Sequence, residues 1–115
     1  MSPPILEDTS SAFPRISTYV TSRTLSNSVP ACIDQMRSSA VKAGLTVSQE
    51  VVMDKNEKAG DFHSESKDFS LHFTARCNST SKTWGIALSG TDPNKTFSEF
   101  QAIATSILQK REPEK

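Results

Sequence analysis

The chain has 115 residues, with thirteen Lys and Arg balanced by thirteen Asp and Glu, and about a third (35%) of its residues are hydrophobic. That length and apolar content fit one domain with a modest core, not two. The balanced charge lacks the basic excess that drives nucleic-acid binding through counterion release, although a folded surface can still gather cations on one face.

Residues 1–12 (MSPPILEDTSSA) mix Pro, Ser, Thr and acids around a single Ile-Leu pair and read as a flexible tail. They lack the apolar segment of a secretory signal, and no run approaches the roughly 20 apolar residues of a membrane span. A single α+β domain is expected over residues 13–110, followed by a frayed end at 111–115, where Pro113 stops the last helix.

Ile16 to Ser22 reads as a first strand. Ser28 is placed to cap a helix from Val29 to Ala43, with Pro30 tolerated in its first turn. Val29, Cys32, Ile33, Met36, Ala40 and Ala43 form one apolar stripe, and Gly44 followed by Leu45 reads as its stop. Leu45 to Met53 reads as a second strand, with Leu45, Val47, Val51 and Met53 on one face.

Residues 54–67 (DKNEKAGDFHSESK) are charged, polar and nearly without apolar anchors, and are expected to form a long mobile loop dispensable for folding. Phe69, Leu71, Phe73, Ala75 and Cys77 then alternate with polar residues as a half-buried strand. After the turn Asn78-Ser79-Thr80-Ser81, Trp84, Ile86 and Leu88 alternate on a last strand spanning Trp84–Ser89. Gly90-Thr91-Asp92-Pro93 reads as a tight turn. Phe97 to Lys110 carries a second helical stripe of Phe97, Phe100, Ile103, Ala104, Ile107 and Leu108, with Thr96 and Glu99 in capping-box spacing.

The order is therefore β-α-β-β-β-α. The expected architecture is an α+β fold, an antiparallel sheet of about four strands with both helices on one face. Phe69, Leu71, Phe73, Trp84, Ile86 and Leu88 should meet Ile33, Met36, Phe100, Ile103 and Ile107. Such a sheet is open, and its exposed edge invites a partner strand.

Catalytic chemistry finds little purchase. Asp61, His63 and Glu65 lie close in sequence but match no established zinc spacing, and His72 points away from its strand's core face. No G-x-S-x-G elbow is present. Gly90 to Thr96 lies where a phosphate loop would lie but lacks the G-K-[ST] ending. Asn78-Ser79-Thr80 fits the N-glycosylation triplet and, without a secretory signal, reads as an accident of a polar turn. Cys32 and Cys77 fall on apolar stripes and are expected as buried thiols, with a disulfide the alternative; reduced thiols fit a cytoplasmic or nuclear protein. Neither metal, cofactor nor enzymatic activity is expected. Among the cations, Arg23, Arg37, Lys42, Arg76 and Lys82 are the candidates for a patch that contacts lipid headgroups or an acidic partner segment.

Two stretches carry a family resemblance. ISTYVTSRTLSNSVPACIDQMRSSAVKAG, from Ile16 to Gly44, runs a strand through Thr-Ser into a capped helix. GIALSGTDPNKTFSEFQAIATSIL, from Gly85 to Leu108, is a strand, a Ser/Gly turn and a Phe-bearing helix. Together they resemble the kinase-associated-1 domain, the C-terminal regulatory module of checkpoint, microtubule-affinity-regulating and AMP-activated-kinase-related serine/threonine kinases. The resemblance implies a non-catalytic domain that folds back on a kinase catalytic domain, docks a regulatory subunit, or touches anionic phospholipid at the inner membrane face. An adaptor or subunit-binding domain unrelated to kinases is the alternative, and a small-molecule carrier with an apolar cavity a third.

Overall fold

The computed structural model describes residues 16–111; the tails expected at 1–12 and 111–115 lie outside them except for Arg111, which still belongs to the last helix. The chain folds as β1 (Ser17–Thr24), α1 (Val29–Lys42), β2 (Val47–Met53), β3 (Ala59–Glu65), β4 (Leu71–Asn78), β5 (Thr83–Gly90) and α2 (Pro93–Arg111). The five strands form one sheet in the order β1-β5-β4-β3-β2, and every neighbouring pair is antiparallel. Both helices pack on the same face, α1 over β3 and β4, α2 over β5 and β1, and they touch each other. Ile33 and Ile103 accordingly lie in one core, with Met36, Phe73, Trp84, Leu88 and Ile107.

Helix α1 begins and ends where its sequence directs. Ser28 Oγ accepts from the Ala31 amide at 3.2 Å. At the other end Gly44 takes φ +84°. Its N–H bonds the Val41 carbonyl, while the Leu45 N–H bonds that of Ala40, the paired pattern that closes a helix on a left-handed glycine. Leu45 is fully buried behind it.

The fifth strand is the main departure from expectation. Residues 59–65 are an inner strand between β2 and β4, not part of a mobile loop. Gly60, Phe62 and Ser64 point under α1, and Ala59, Asp61, His63 and Glu65 point away. Two of the three inward residues are small because α1 passes close above. A Cβ on Gly60 would stand 2.7 Å from Met53 Sδ and 3.3 Å from Ile33 Cγ1. The apolar alternation that marks a strand is therefore reduced to Phe62 alone.

Four further expectations change. Phe69 is not in a strand but in the β3–β4 turn, at φ +59° and 55% exposed. The Asp68 carboxylate closes that turn by accepting from Ser66 Oγ, Ser70 N and Ser70 Oγ, so inward alternation starts only at Leu71. β2 carries a register shift between Val47 and Glu50, with Ser48 at φ +56°. Val47 stands opposite Glu65 and Val51 opposite Phe62, so the two valines no longer share a face.

Helix α2 starts at Pro93, with Asp92 as its cap in place of the Thr96–Glu99 box. Asp92 Oδ1 accepts from the Asn94 and Lys95 amides, each at 3.1 Å. Thr96 is buried in the first turn with its hydroxyl on the Asp92 carbonyl. Finally, Cys32 and Cys77 are joined in a disulfide that ties α1 to β4, not left as two thiols. Their stripes face each other across the same core, which brings the two Cα atoms to 6.3 Å.

Candidate docking surfaces

Because both helices lie on one side, the other side of the sheet is uncovered among the described residues. Its rows follow from the register. Thr18, Ser89, His72 and Glu65 form one; Val20, Ala87, Thr74, His63 and Glu50 the next; Ser22, Gly85, Arg76, Asp61 and Val52 the third. Polar groups pair along each row. Thr18 and Ser89 hydroxyls are 2.9 Å apart. His72 Nδ1 lies 2.6 Å from Glu65 Oε2. His63 Nδ1 lies 3.2 Å from Thr74 Oγ1. Arg76 donates from one nitrogen to both oxygens of Asp61, at 2.8 and 2.9 Å. Past Thr83 at its start, β5 presents the small residues Gly85, Ala87 and Ser89 on this face, so its middle is low while β3 and β4 stand above it.

The five candidate cations divide between the two sides of the sheet. Arg23, Arg76 and Lys82 lie toward the end where β4 turns into β5. Arg23 stands opposite Trp84 in the row on the helix side, and its guanidinium donates to Thr21 Oγ1 at 2.7 Å and the Ser22 carbonyl at 2.9 Å. Arg76 is on the open face and already engaged by Asp61. Lys82 is in the turn at φ +58°, where its carbonyl accepts from the Leu25 amide. Arg37 is on α1, 3.3 Å from Asp34. Lys42, in the last turn of α1, lies toward the opposite end of the sheet. The first three thus converge on one end, and the two α1 residues do not join them. Asn78 closes that end by a structural bond: its Oδ1 accepts from the Thr80 and Ser81 amides.

The sequence reading missed two sets of residues. One is the β3 half of the open face, Asp61, His63 and Glu65 as sheet partners, concealed by the segment's loop-like composition. The other is a 590 Å³ depression between the C-terminal end of α1 and the start of α2, bordered by Lys67, Asp68, Lys95 and Glu99. Lys67 and Asp68 come from the β3–β4 turn and Lys95 and Glu99 from successive turns of α2, and no local spacing links the two pairs. Hydrogen bonds from Ser70 and then Ser66 hold the Asp68 carboxyl well below the usual carboxylate range.

A 610 Å³ groove between the helices is lined by small and polar side chains, including Ser39, Ala43, Ala102 and Ser106. Between helices and sheet, the volume is taken by the side chains of Trp84, Phe62, Phe73, Met36 and Ile103, all fully buried. Among the described residues no group of three or more His, Cys, Asp or Glu side chains is arranged to hold a metal ion. No helix among them is long and apolar enough to cross a membrane. A scan against protein-family models and a search of curated proteins find no match to the chain.

Proposed function

We propose that this chain is a non-catalytic regulatory domain that works by surface contact, docking on a serine/threonine kinase catalytic domain or a regulatory subunit in the cytoplasm or nucleus. The observation that carries the reading is the one-sided sheet. All the large apolar side chains of β4 and β5 are spent under two helices, and a broad polar face is left for contact. The strand-helix-strands-helix order is compatible with the resemblance to kinase-associated-1 domains. The filled interior favours docking over carriage of a small molecule.

Contact with anionic phospholipid is the lesser part of this proposal. Arg37 and Arg76 have aspartate partners within the chain, and the five cations do not share one face. A surface cation near an anionic membrane contributes about 1 kcal/mol, so the three at the β4–β5 end would give at most weak, salt-sensitive attachment.

Co-sedimentation with phosphatidylserine vesicles at low and high salt, alongside a phosphotransfer assay with an added kinase catalytic domain, tests the proposal. Kinase binding or inhibition without vesicle binding is the expected result. Vesicle binding alone would move the function to the membrane, and no response in either arm would end the kinase reading.

A second reading is favoured by the Cys32–Cys77 bond. Disulfides persist mainly in oxidising compartments, so the same docking domain would serve there as an adaptor unrelated to kinases. Counting free thiols in the protein isolated from its native cells under alkylating conditions separates the two. Two free thiols fit the cytoplasmic reading, and none fits the adaptor.

A further inference from the structure

The geometry points to a second copy of this chain as the partner of β1, the two copies joining edge to edge into one continuous sheet. Among the described residues β1 pairs only with β5, so every second residue along it directs its backbone N–H and C=O away from the sheet. The strand is long and regular (STYVTSRT), without a bulge or proline, and its one charge, Arg23 on the helix side, lies near its C-terminal end, so Ser17 to Ser22 carry none of the devices that blunt an edge. The other edge is blunted: β2 has its register shift, Ser48 in the left-handed region, and Glu50 at the break. One usable edge makes a closed two-fold pair, whereas two would permit a fibre.

The strand is also its own complement. With the two-fold axis perpendicular to the sheet and passing through Val20, Val20 meets Val20, Tyr19 meets Thr21, Thr18 meets Ser22 and Ser17 meets Arg23. Arg23, the one charge in β1, thus faces a serine. The hydroxyl pair Thr18–Ser22 and the valine pair are favourable cross-strand neighbours. Val20 is 69% exposed on the open face, and this pairing covers it. On the helix side Phe97, 44% exposed, packs against Tyr19 with the rings tilted and their centroids 5.2 Å apart, so apolar surface flanks this edge on both faces. The pairing goes beyond the docking function and holds whichever partner the open face takes.

The test is light scattering of the full chain over a concentration series, with engineered cysteines to read the register. Both native cysteines are in the disulfide and no other is free, so one new cysteine is the sole thiol. At Val20 the two copies place their Cβ atoms about 4.5–5.5 Å apart. At Ser22 they are offset by four residues, about 13 Å, beyond disulfide reach. Wild type should move toward twice its 12.6 kDa mass as concentration rises. Val20→Cys should cross-link to a dimer under mild oxidation, and Ser22→Cys should not. Val20→Lys should weaken the dimer at least about tenfold, because like charges would then face each other at the axis. Its circular dichroism should be unchanged; if that variant loses its fold, the cysteine pair decides. Wild type at 12.6 kDa throughout, equal cross-linking at both positions, or none at Val20 would overturn the proposal.

Discussion

β3 and β4 lie side by side in the middle of the sheet, each paired on both sides and each turning alternate residues under α1. They meet the helix differently. β4 offers Leu71, Phe73, Ala75 and Cys77, a continuous apolar line with a disulfide at its end. β3 offers Gly60, Phe62 and Ser64, where the glycine leaves room for Met53 and Ile33 and the phenylalanine carries most of the packing. An inner strand can thus rest on one large side chain, provided its neighbours are small enough for a helix to come down on it. Phe62 and Phe73 meet edge to face with centroids 6.1 Å apart, so on the helix side a ring pair adds to the backbone ladder between the two strands.

The sharpest way to break this comparison is to truncate both rings. Phe62→Ala and Phe73→Ala should each cost about 3–5 kcal/mol in urea unfolding. Equal losses would show β3 to be as much part of the core as β4. A loss below about 0.5 kcal/mol for Phe62→Ala would return residues 54–67 to the status of a loop. Next in size is the bond that ties α1 to β4. Replacing Cys32 and Cys77 together by alanine should cost about 2–4 kcal/mol, measured against wild type under non-reducing conditions. An unchanged midpoint would show that α1 is seated by packing alone.

Smaller is the cap that starts α2 over β5 and β1. Asp92→Ala should cost about 1 kcal/mol, whereas Glu99→Ala, which is not in a capping box, should cost almost nothing. The smallest effect concerns the turn that joins the two strands. The depressed pKa of Asp68 means that its contribution is complete above the ordinary carboxylate pKa near 3.8 and is lost as pH falls below it. Amide exchange at Ser70 and Leu71 should therefore accelerate below about pH 4 in wild type, and Asp68→Asn should remove that acid dependence.

Where side-chain size and period agreed, the fold was legible in the sequence. The α1 stripe, its Ser28 cap, the Gly44 stop and the alternation of β4 and β5 all appear in the structure as read. β3 was not legible because close approach of α1 selects Gly60 and Ser64, residues that otherwise mark turns. Phe69 misled for the opposite reason. It continued the apolar alternation one step past the point where Asp68 folds the chain back. The Asp92-Pro93 pair was a readable helix start, obscured by the more familiar Thr96–Glu99 spacing. Of the candidate cations, the outward direction of Arg76 was legible, but its engagement by Asp61 was not, since Asp61 sat in the segment read as loop.

The outward rows of β3 and β4 are where the proposed docking function is most directly tested. Thr74 stands at the centre of the open face, exposed, with its side-chain hydroxyl bonded only to His63 among the described residues. Calorimetric titration of a checkpoint- or microtubule-affinity-type kinase catalytic domain with wild type and with Thr74→Arg would decide the matter. Wild type should bind, and Thr74→Arg should bind at least about tenfold more weakly with its unfolding midpoint unchanged. Absence of binding by wild type, or equal binding by the two proteins, would contradict it.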